Sequence, residues 1–204
     1  MPHLKLELQL APARVCGVDE AGRGPWAGPV VAAAVMLGAQ DRIPSGLNDS
    51  KKLKHAAREA LFTQLLAANI THGIGIATAE EIDTLNIWGA TQLAMCRAVS
   101  GLQIAPDIAL IDGKLHPKGM ACETRPIIGG DGISLSIAAA SILAKVTRDR
   151  MMAEYAQDYP QYGFEKHVGY GTKQHQEALA AHGPCPLHRT SYAPIRASLK
   201  KAAA

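Results

Sequence analysis

Apolar residues gather in short runs that end at glycines or carboxylates, and polar residues fill the stretches between. Val15 to Glu20 and Val30 to Leu37 read as strands joined through a glycine-rich turn, where Pro25 and Pro29 argue against a helix. Asp41 to Asp49 is polar and holds Pro44 and Gly46, so it reads as a loop. Asn48, Asp49 and Ser50 offer an N-cap to a helix over Lys51–Ala68, with Leu53, Ala57, Leu61 and Leu65 on one face. Thr71 to Thr78 alternates around Gly73 and Gly75 and reads as a third strand. Thr78-Ala79-Glu80-Glu81 resembles a capping box and opens a helical stretch toward Leu85. A further helix over Ile87–Ser100 turns Ala90, Leu93 and Cys96 inward. Ile108 to Asp112 is a continuous apolar run ending on a carboxylate, the pattern of a buried strand whose carboxyl end faces a site. Thr124 to Ile128 is a short strand leading through Gly129-Gly130 to Asp131. Ser134 to Gln157 reads as a long helix with Leu135, Ala138, Ala139, Ile142, Val146 and Met152 on its apolar face. Lys145, Arg148, Asp149 and Arg150 fall on its expected polar side. Pro160 ends it. Thr172 then caps a helix toward His182, and a last short helix ends near Lys201. The pattern is α/β, with a central sheet that is either mixed or parallel. Residues 1–160 are expected to form the main unit, and 161–204 a helical C-terminal extension packed on it.

A chain of 204 residues, 48% of them hydrophobic and 19% charged, is long and apolar enough to bury a core as one domain. The formal net charge of +3 is a mild excess, compatible with a phosphate-rich partner. Cys16, Cys96, Cys122 and Cys185 are scattered with no Cys-x-x-Cys pair, which predicts reduced thiols and no zinc site. The eight histidines also lack metal-ligand spacing. Met1 to Leu10 alternates charged and apolar residues and has no signal-peptide core. Val30 to Leu37 is far short of the roughly 20 apolar residues of a membrane span. A soluble cytoplasmic protein that meets no membrane is expected.

Four carboxylates occupy similar places: Asp19, Glu20, Asp112 and Asp131 each follow an apolar run. An acidic pair at the end of an apolar strand is costly unless a cation neutralises it. The plainer reading, a solvated charged turn, would not need Gly22, Gly24 and Gly28 together, since glycines let a backbone approach a ligand closely. The rival dinucleotide fingerprint fails, because Gly22-x-Gly24-x-x-x-Gly28 is one residue too long and leads into a strand. If the strands lie side by side, the four anions converge, and only divalent cations make such a site sensible. All-oxygen ligands favour Mg²⁺ or Mn²⁺. Two such ions about 3.5–4 Å apart would clamp the attacking and leaving oxygens of a phosphodiester. Lys51, Lys52 and Lys54 at the start of the expected helix oppose its dipole, so they mark either an anion site or a solvated basic turn. Arg23, Lys51, Lys145 and the aromatic loop at Tyr170 are candidate substrate contacts.

The chain resembles bacterial ribonuclease HII, the type 2 ribonuclease H, from about Val15 to Pro194. The resemblance is carried in order by Val18-Asp19-Glu20-Ala21-Gly22-Arg23-Gly24-Pro25, Asn48-Asp49-Ser50-Lys51-Lys52-Leu53 and Ile111-Asp112-Gly113. Ser136 to Asp149, Gly169-Tyr170-Gly171-Thr172 and His188-Arg189 continue it. It implies a ribonuclease H-like fold with a mixed central sheet, and hydrolysis of RNA in RNA–DNA hybrids or of single ribonucleotides embedded in duplex DNA. It implies a cut on the 5′ side of the ribonucleotide, leaving 3′-hydroxyl and 5′-phosphate ends. It carries the catalytic and metal-binding roles onto Asp19, Glu20, Asp112 and Asp131, with Asp19 expected to bridge two ions. Gly22-Arg23-Gly24 looks like the family's ribose reader, and Tyr170 is similar to the tyrosine that packs on the adjoining deoxyribose. Two departures remove probable phosphate contacts: Gly129 and Val168 stand where lysines are common. Weaker substrate binding with a shallower salt dependence is the expectation. The alternatives are another metal-dependent nuclease of the same broad fold, or a binding module without catalysis. No protein partner is evident, and a monomer is expected.

Overall fold

The computed structural model describes residues 1–37 and 43–202. Positions 41 and 42 of the expected polar loop lie outside the described residues. Five strands, β1 (Val15–Ala21), β2 (Val30–Met36), β3 (Thr71–Ala77), β4 (Ile108–Asp112) and β5 (Glu123–Ile127), form one sheet in the order β3-β2-β1-β4-β5. β1 and β2 run antiparallel, as do β2 and β3, whereas β1, β4 and β5 run parallel. The mixed sheet expected from the sequence is the one observed. Pro126 sits in β5, an edge strand, where a missing N–H is tolerated.

The helices are α1 (Lys5–Gln9), α2 (His55–Ala67), α3 (Ala79–Ser100), α4 (Leu135–Asp158), α5 (Phe164–His167), α6 (Lys173–His182) and α7 (Ala193–Ala202). Side chains alternate along β2, and the two faces build two cores. Ala32 and Ala34 pack with Ala94, Met95 and Ala98 of α3. Ala33 and Val35 pack with Ala139, Ile142 and Leu143 of α4 and with Leu61 and Leu65 of α2. Small residues bring backbone onto backbone. A Cβ on Gly17 of β1 would stand 2.2 Å from the Ile137 nitrogen, and one on Gly75 of β3 would stand 2.0 Å from the Ala94 oxygen. Both helices therefore lie directly on the sheet: the first turn of α4 sits on Gly17 of β1, and Arg148 further along α4 reaches Gly22.

Several expectations shift. The expected helix from Lys51 starts only at His55, with Lys54 at its N-cap. The preceding segment is a knot of local turns: Asp49 Oδ1 accepts from the Lys51 N–H at 2.9 Å, and Asn48 Oδ1 accepts from the Asp49 N–H at 2.9 Å. Arg58 then donates to the Ser50 and Leu53 carbonyls, 2.8 Å each, and fixes that turn against α2. Lys51 and Lys52 thus ride on a loop. Leu61, Phe62 and Leu65 form the buried face of α2, while Ala57 is exposed. In α3 the buried stripe runs through Ala90, Thr91, Ala94, Met95 and Ala98, with Leu93 and Cys96 at its margin. The expected capping box at Thr78 is present, and the two expected helices are one element bent at Asn86. α1 went unread because its five residues are too few for a periodic signal. Arg148, expected on the polar side of α4, is buried.

Candidate active site

β1 and β4 are parallel neighbours whose ladder ends with Val18 beside Ile111. Asp19 and Asp112 follow, so they leave the sheet at the same edge and on the same face. Asp131 reaches them from a tight turn at Gly130–Gly132, between β5 and α4. The Gly130 N–H donates to Asp112 Oδ1 at 2.7 Å and ties that turn to the end of β4. One carboxylate oxygen from each of Asp19, Asp112 and Asp131 lies within 4.8 Å of the others. Glu20 stands outside that triangle, yet close enough for its charge to act on Asp19 and to feel that of Asp112. It lines the same cleft, with Oε1 at 3.2 Å from an Arg23 guanidinium nitrogen.

The electrostatics match the crowding. Burial, then Glu20 and Asp112, raises the Asp19 carboxyl well above its ordinary range. Burial also raises Glu20, and Arg23 opposes that shift. Asp131 is raised by burial, by Asp112 and by Asp49, which shares a hydrogen bond with it. Asp49 is a member of the acidic cluster that the sequence reading used only as a helix cap. Burial lowers the Lys51 ammonium, but Asp19, Asp49, Asp131 and Asp112 outweigh it and the net shift is upward.

A cleft of about 650 Å³ opens beside the triangle. Asp19, Glu20, Gly22, Arg23, Gly24, Lys51, Lys145 and Tyr170 line it, so the structure brings the expected substrate contacts to one wall system. Of the triangle, Asp19 lines this cleft, and it is the most buried of the three carboxylates. Lys145 pairs with Asp149 at 2.7 Å. Tyr170 stands against Gly24, where an added Cβ would meet its ring at 3.4 Å.

Two buried arginines hold the glycine loop, and sequence reading missed both roles. Arg148 donates to the carbonyls of Pro29, Ala27 and Val168 at 2.9, 3.1 and 3.0 Å. Arg189 donates to the carbonyls of Gly28 and Arg23 at 2.8 and 2.9 Å, and also to that of Gly22. Gly22 has φ +97°, and a Cβ there would collide with Arg148, so both its conformation and its neighbour demand glycine. Burial lowers both guanidinium groups, Arg148 to about 10. The signal for Arg148 was helical spacing: Ser141, Ala144, Arg148 and Met152 form one stripe.

The stretch His188-Arg189-Thr190-Ser191 ties further parts together. Thr190 and Ser191 grip the Asp83 carboxylate of α3 through two N–H and two hydroxyl donors at 2.6–2.8 Å. His188 and His175 face each other, Nε2 to Nε2, at 3.0 Å. His175 Nδ1 is 2.9 Å from the Tyr170 carbonyl and must donate to it, so His175 Nε2 accepts from His188. His188 Nδ1 is then free to accept from the Cys185 N–H at 2.9 Å.

The comparisons with known proteins agree with this geometry. The family model described as Ribonuclease HII matches residues 16–195. The chain belongs to the ribonuclease HII family. A protein named Ribonuclease HII from Parvibaculum lavamentivorans is 58% identical over 202 residues, covering 98% of this chain and 74% of that protein. The crystal structure of ribonuclease H2 from Pyrococcus horikoshii OT3 superposes with a TM-score of 0.71 at 27% identity, over 92% of this chain and 98% of that one. The structure of Bst-RNase HIII in complex with Mn²⁺ has a TM-score of 0.74 at 19% identity, over 99% and 74% of the two chains, and shares the fold. The molecule is therefore a nuclease with a ribonuclease H-like fold. No helix among the described residues is long and apolar enough to cross a membrane.

Proposed function

We propose that this ribonuclease HII relative hydrolyses the RNA strand of RNA–DNA hybrids and cuts on the 5′ side of single ribonucleotides embedded in duplex DNA, leaving 3′-hydroxyl and 5′-phosphate ends. The observation that carries the reading is the convergence of Asp19, Asp112 and Asp131 at the foot of a cleft whose wall is a braced glycine loop. The donors are all carboxylate oxygens, and their mutual repulsion with the burial of Asp19 fits hard divalent cations, Mg²⁺ or Mn²⁺. Asp19, Glu20, Asp112 and Asp131 would hold two such ions, with Asp19 between them. When bound, the ions supply charge for the attacking and leaving oxygens.

The chain's own residues then bind and orient. The Gly22-Arg23-Gly24 backbone has no Cβ on either side of Arg23, so its peptide groups approach the ribose closely enough to read a 2′-hydroxyl. Lys51 and Lys145 take phosphates. Tyr170 packs its ring on the adjoining deoxyribose. Residues 1–160 carry the metal ligands, and 161–204 hold the reader loop in place through Arg189 and carry Tyr170. A cytoplasmic site of action belongs to the same reading, which the four free cysteines support.

The test is a labelled DNA duplex with one internal ribonucleotide, incubated with Mg²⁺, Mn²⁺ or chelator beside an all-DNA control. A single metal-dependent cut 5′ of the ribonucleotide is expected. Cleavage of continuous hybrids alone would keep the carboxylate centre and discard the junction-reading role of Arg23 and Tyr170. Cleavage of neither substrate would leave a binding module.

A further inference from the structure

We propose that Trp88 is a specificity-determining residue of this site: its ring fixes the Arg23 guanidinium and offers its exposed surface to the sugar next to the ribonucleotide, on the side away from Tyr170. The inference rests on the function proposed above.

Three observations lead to it. First, the Arg23 guanidinium carbon lies 4.4 Å from the centre of the Trp88 ring, a cation–π contact. Second, Trp88 is 53% exposed, far more than its packing requires, and its neighbour Ile87 lines the cleft. Third, the backbone is bent to bring it there. Asn86 has φ +57° and ψ 170°, a region that non-glycine residues seldom occupy. Its Oδ1 accepts from the Trp88 and Gly89 N–H groups at 2.9 and 3.2 Å, which caps a new helix start at the cleft edge. A straight α3 would have carried position 88 past the site.

Arg23 is consequently held at both ends. Its carbonyl accepts from Arg189 at 2.9 Å and from the Tyr192 hydroxyl at 2.7 Å. Its side chain lies between Glu20 and the Trp88 ring. Without Trp88 the ion pair to Glu20, itself a proposed metal ligand, is what holds the guanidinium among the described residues. The occupant follows from continuity: Ile87, the residue before Trp88, and the half-exposed Tyr170 line one cleft with Arg23, Lys51 and Lys145, and the exposed Trp88 ring lies against that Arg23. Two aromatic surfaces on either side of a reader loop, with cations beyond, suit the sugar faces of a duplex backbone.

The experiment measures binding in the Asp19→Asn background, where turnover does not intervene. Fluorescence anisotropy compares a duplex bearing one internal ribonucleotide with the same duplex in all-DNA form. Trp88→Ala and Trp88→Leu should weaken the ribonucleotide duplex about five- to tenfold, and the all-DNA duplex by less than about twofold. Trp88→Phe keeps a ring and should retain most of the discrimination. Melting temperatures within about 2 °C of the parent would confirm that the fold survives. Equal weakening of both duplexes, or an unchanged ratio in Trp88→Ala, overturns the role of Trp88. If the Asp19→Asn parent itself binds both duplexes alike, the ribonucleotide-reading function fails and this inference fails with it.

Discussion

The carboxylate centre and the loop beside it are built on opposite principles. At the centre, Asp19, Asp112 and Asp131 are carboxyl groups pressed together, with the Lys51 ammonium as the nearby cation. In the loop, the charges are the buried cations Arg148 and Arg189, and their guanidinium groups are surrounded by backbone carbonyls. Among the described residues, no carboxylate hydrogen-bonds to either one. A guanidinium suits this task because its planar fork of donors can satisfy several carbonyls at once. The difference separates two jobs. The centre stores repulsion that a cation relieves, and the loop is rigid before anything binds.

The largest expected effect breaks the centre. Asp19→Asn should lower kcat by about three orders of magnitude, several kcal/mol of lost charge stabilisation. The metal-free fold should be equally or more stable, because one repelling charge is gone. A scanning melt without divalent ions, beside a turnover assay with them, checks both halves. Unfolding of the variant would make Asp19 a structural residue. The matching change in the loop should act the other way. Arg189→Met leaves the carbonyls of Gly22 and Gly28 without their Arg189 donors and that of Arg23 with the Tyr192 hydroxyl alone, and should cost about 3–5 kcal/mol. For a chain of this size that lowers the melting temperature by about 10 °C. Arg189→Lys should rescue little, since one ammonium cannot span those acceptors.

This contrast also explains what could be read from the sequence. Each carboxylate of the centre closes its own apolar run, so Asp19, Asp112 and Asp131 could be paired from local pattern alone. The strands followed from the same runs, and the mixed order of the sheet from the family resemblance. Glu20 was legible as the neighbour of Asp19, but its ion pair with Arg23 at 3.2 Å was not. The loop's supports were harder to see, because Arg189 acts across more than 160 residues on Gly22 and Arg23. Nothing near Arg189 in the chain names those carbonyls. Arg148 was hidden differently, since a charged residue on a long helix is ordinarily assigned to solvent. The helix expected from Lys51 failed because the side chains of Asn48 and Asp49 bond to nearby backbone first.

A smaller effect sharpens the loop side through pH. Burial, then His175, lowers His188 to about 4, and burial lowers His175 as well. A histidine depressed in the folded state contributes stability that is present above its unfolded value near 6.5 and is lost as pH falls toward its folded one. Denaturant melts between about pH 7 and pH 4 should therefore show wild type losing roughly 2–3 kcal/mol more than His188→Gln. The raised carboxylates of the centre push in the opposite sense, since their protonation at low pH relieves repulsion. Only the difference between the two proteins isolates the histidine pair. Parallel pH profiles would mean that the pair carries no protonation-linked stability.

The smallest effect concerns the two missing lysines. Gly129 has φ +64°, so a lysine there meets backbone strain even though the space is open. Val168 has φ +44°, a conformation that a β-branched residue adopts poorly. It lines a second hollow with Lys145 and Lys166, Lys145 being shared with the cleft, while its carbonyl accepts from Arg148. Val168→Lys therefore removes a β-branch from a left-handed position and adds a cation next to the proposed phosphate track. Melting temperature should stay level or rise by about 1–2 °C. The slope of log affinity against log salt for a duplex should steepen by about 0.9, the release of counterions from one further phosphate. Gly129→Lys should steepen it similarly but lower stability by about 1 kcal/mol. Equal slopes in wild type and Val168→Lys would show that the backbone of a bound duplex does not pass position 168, and would confine the phosphate track to Lys51 and Lys145.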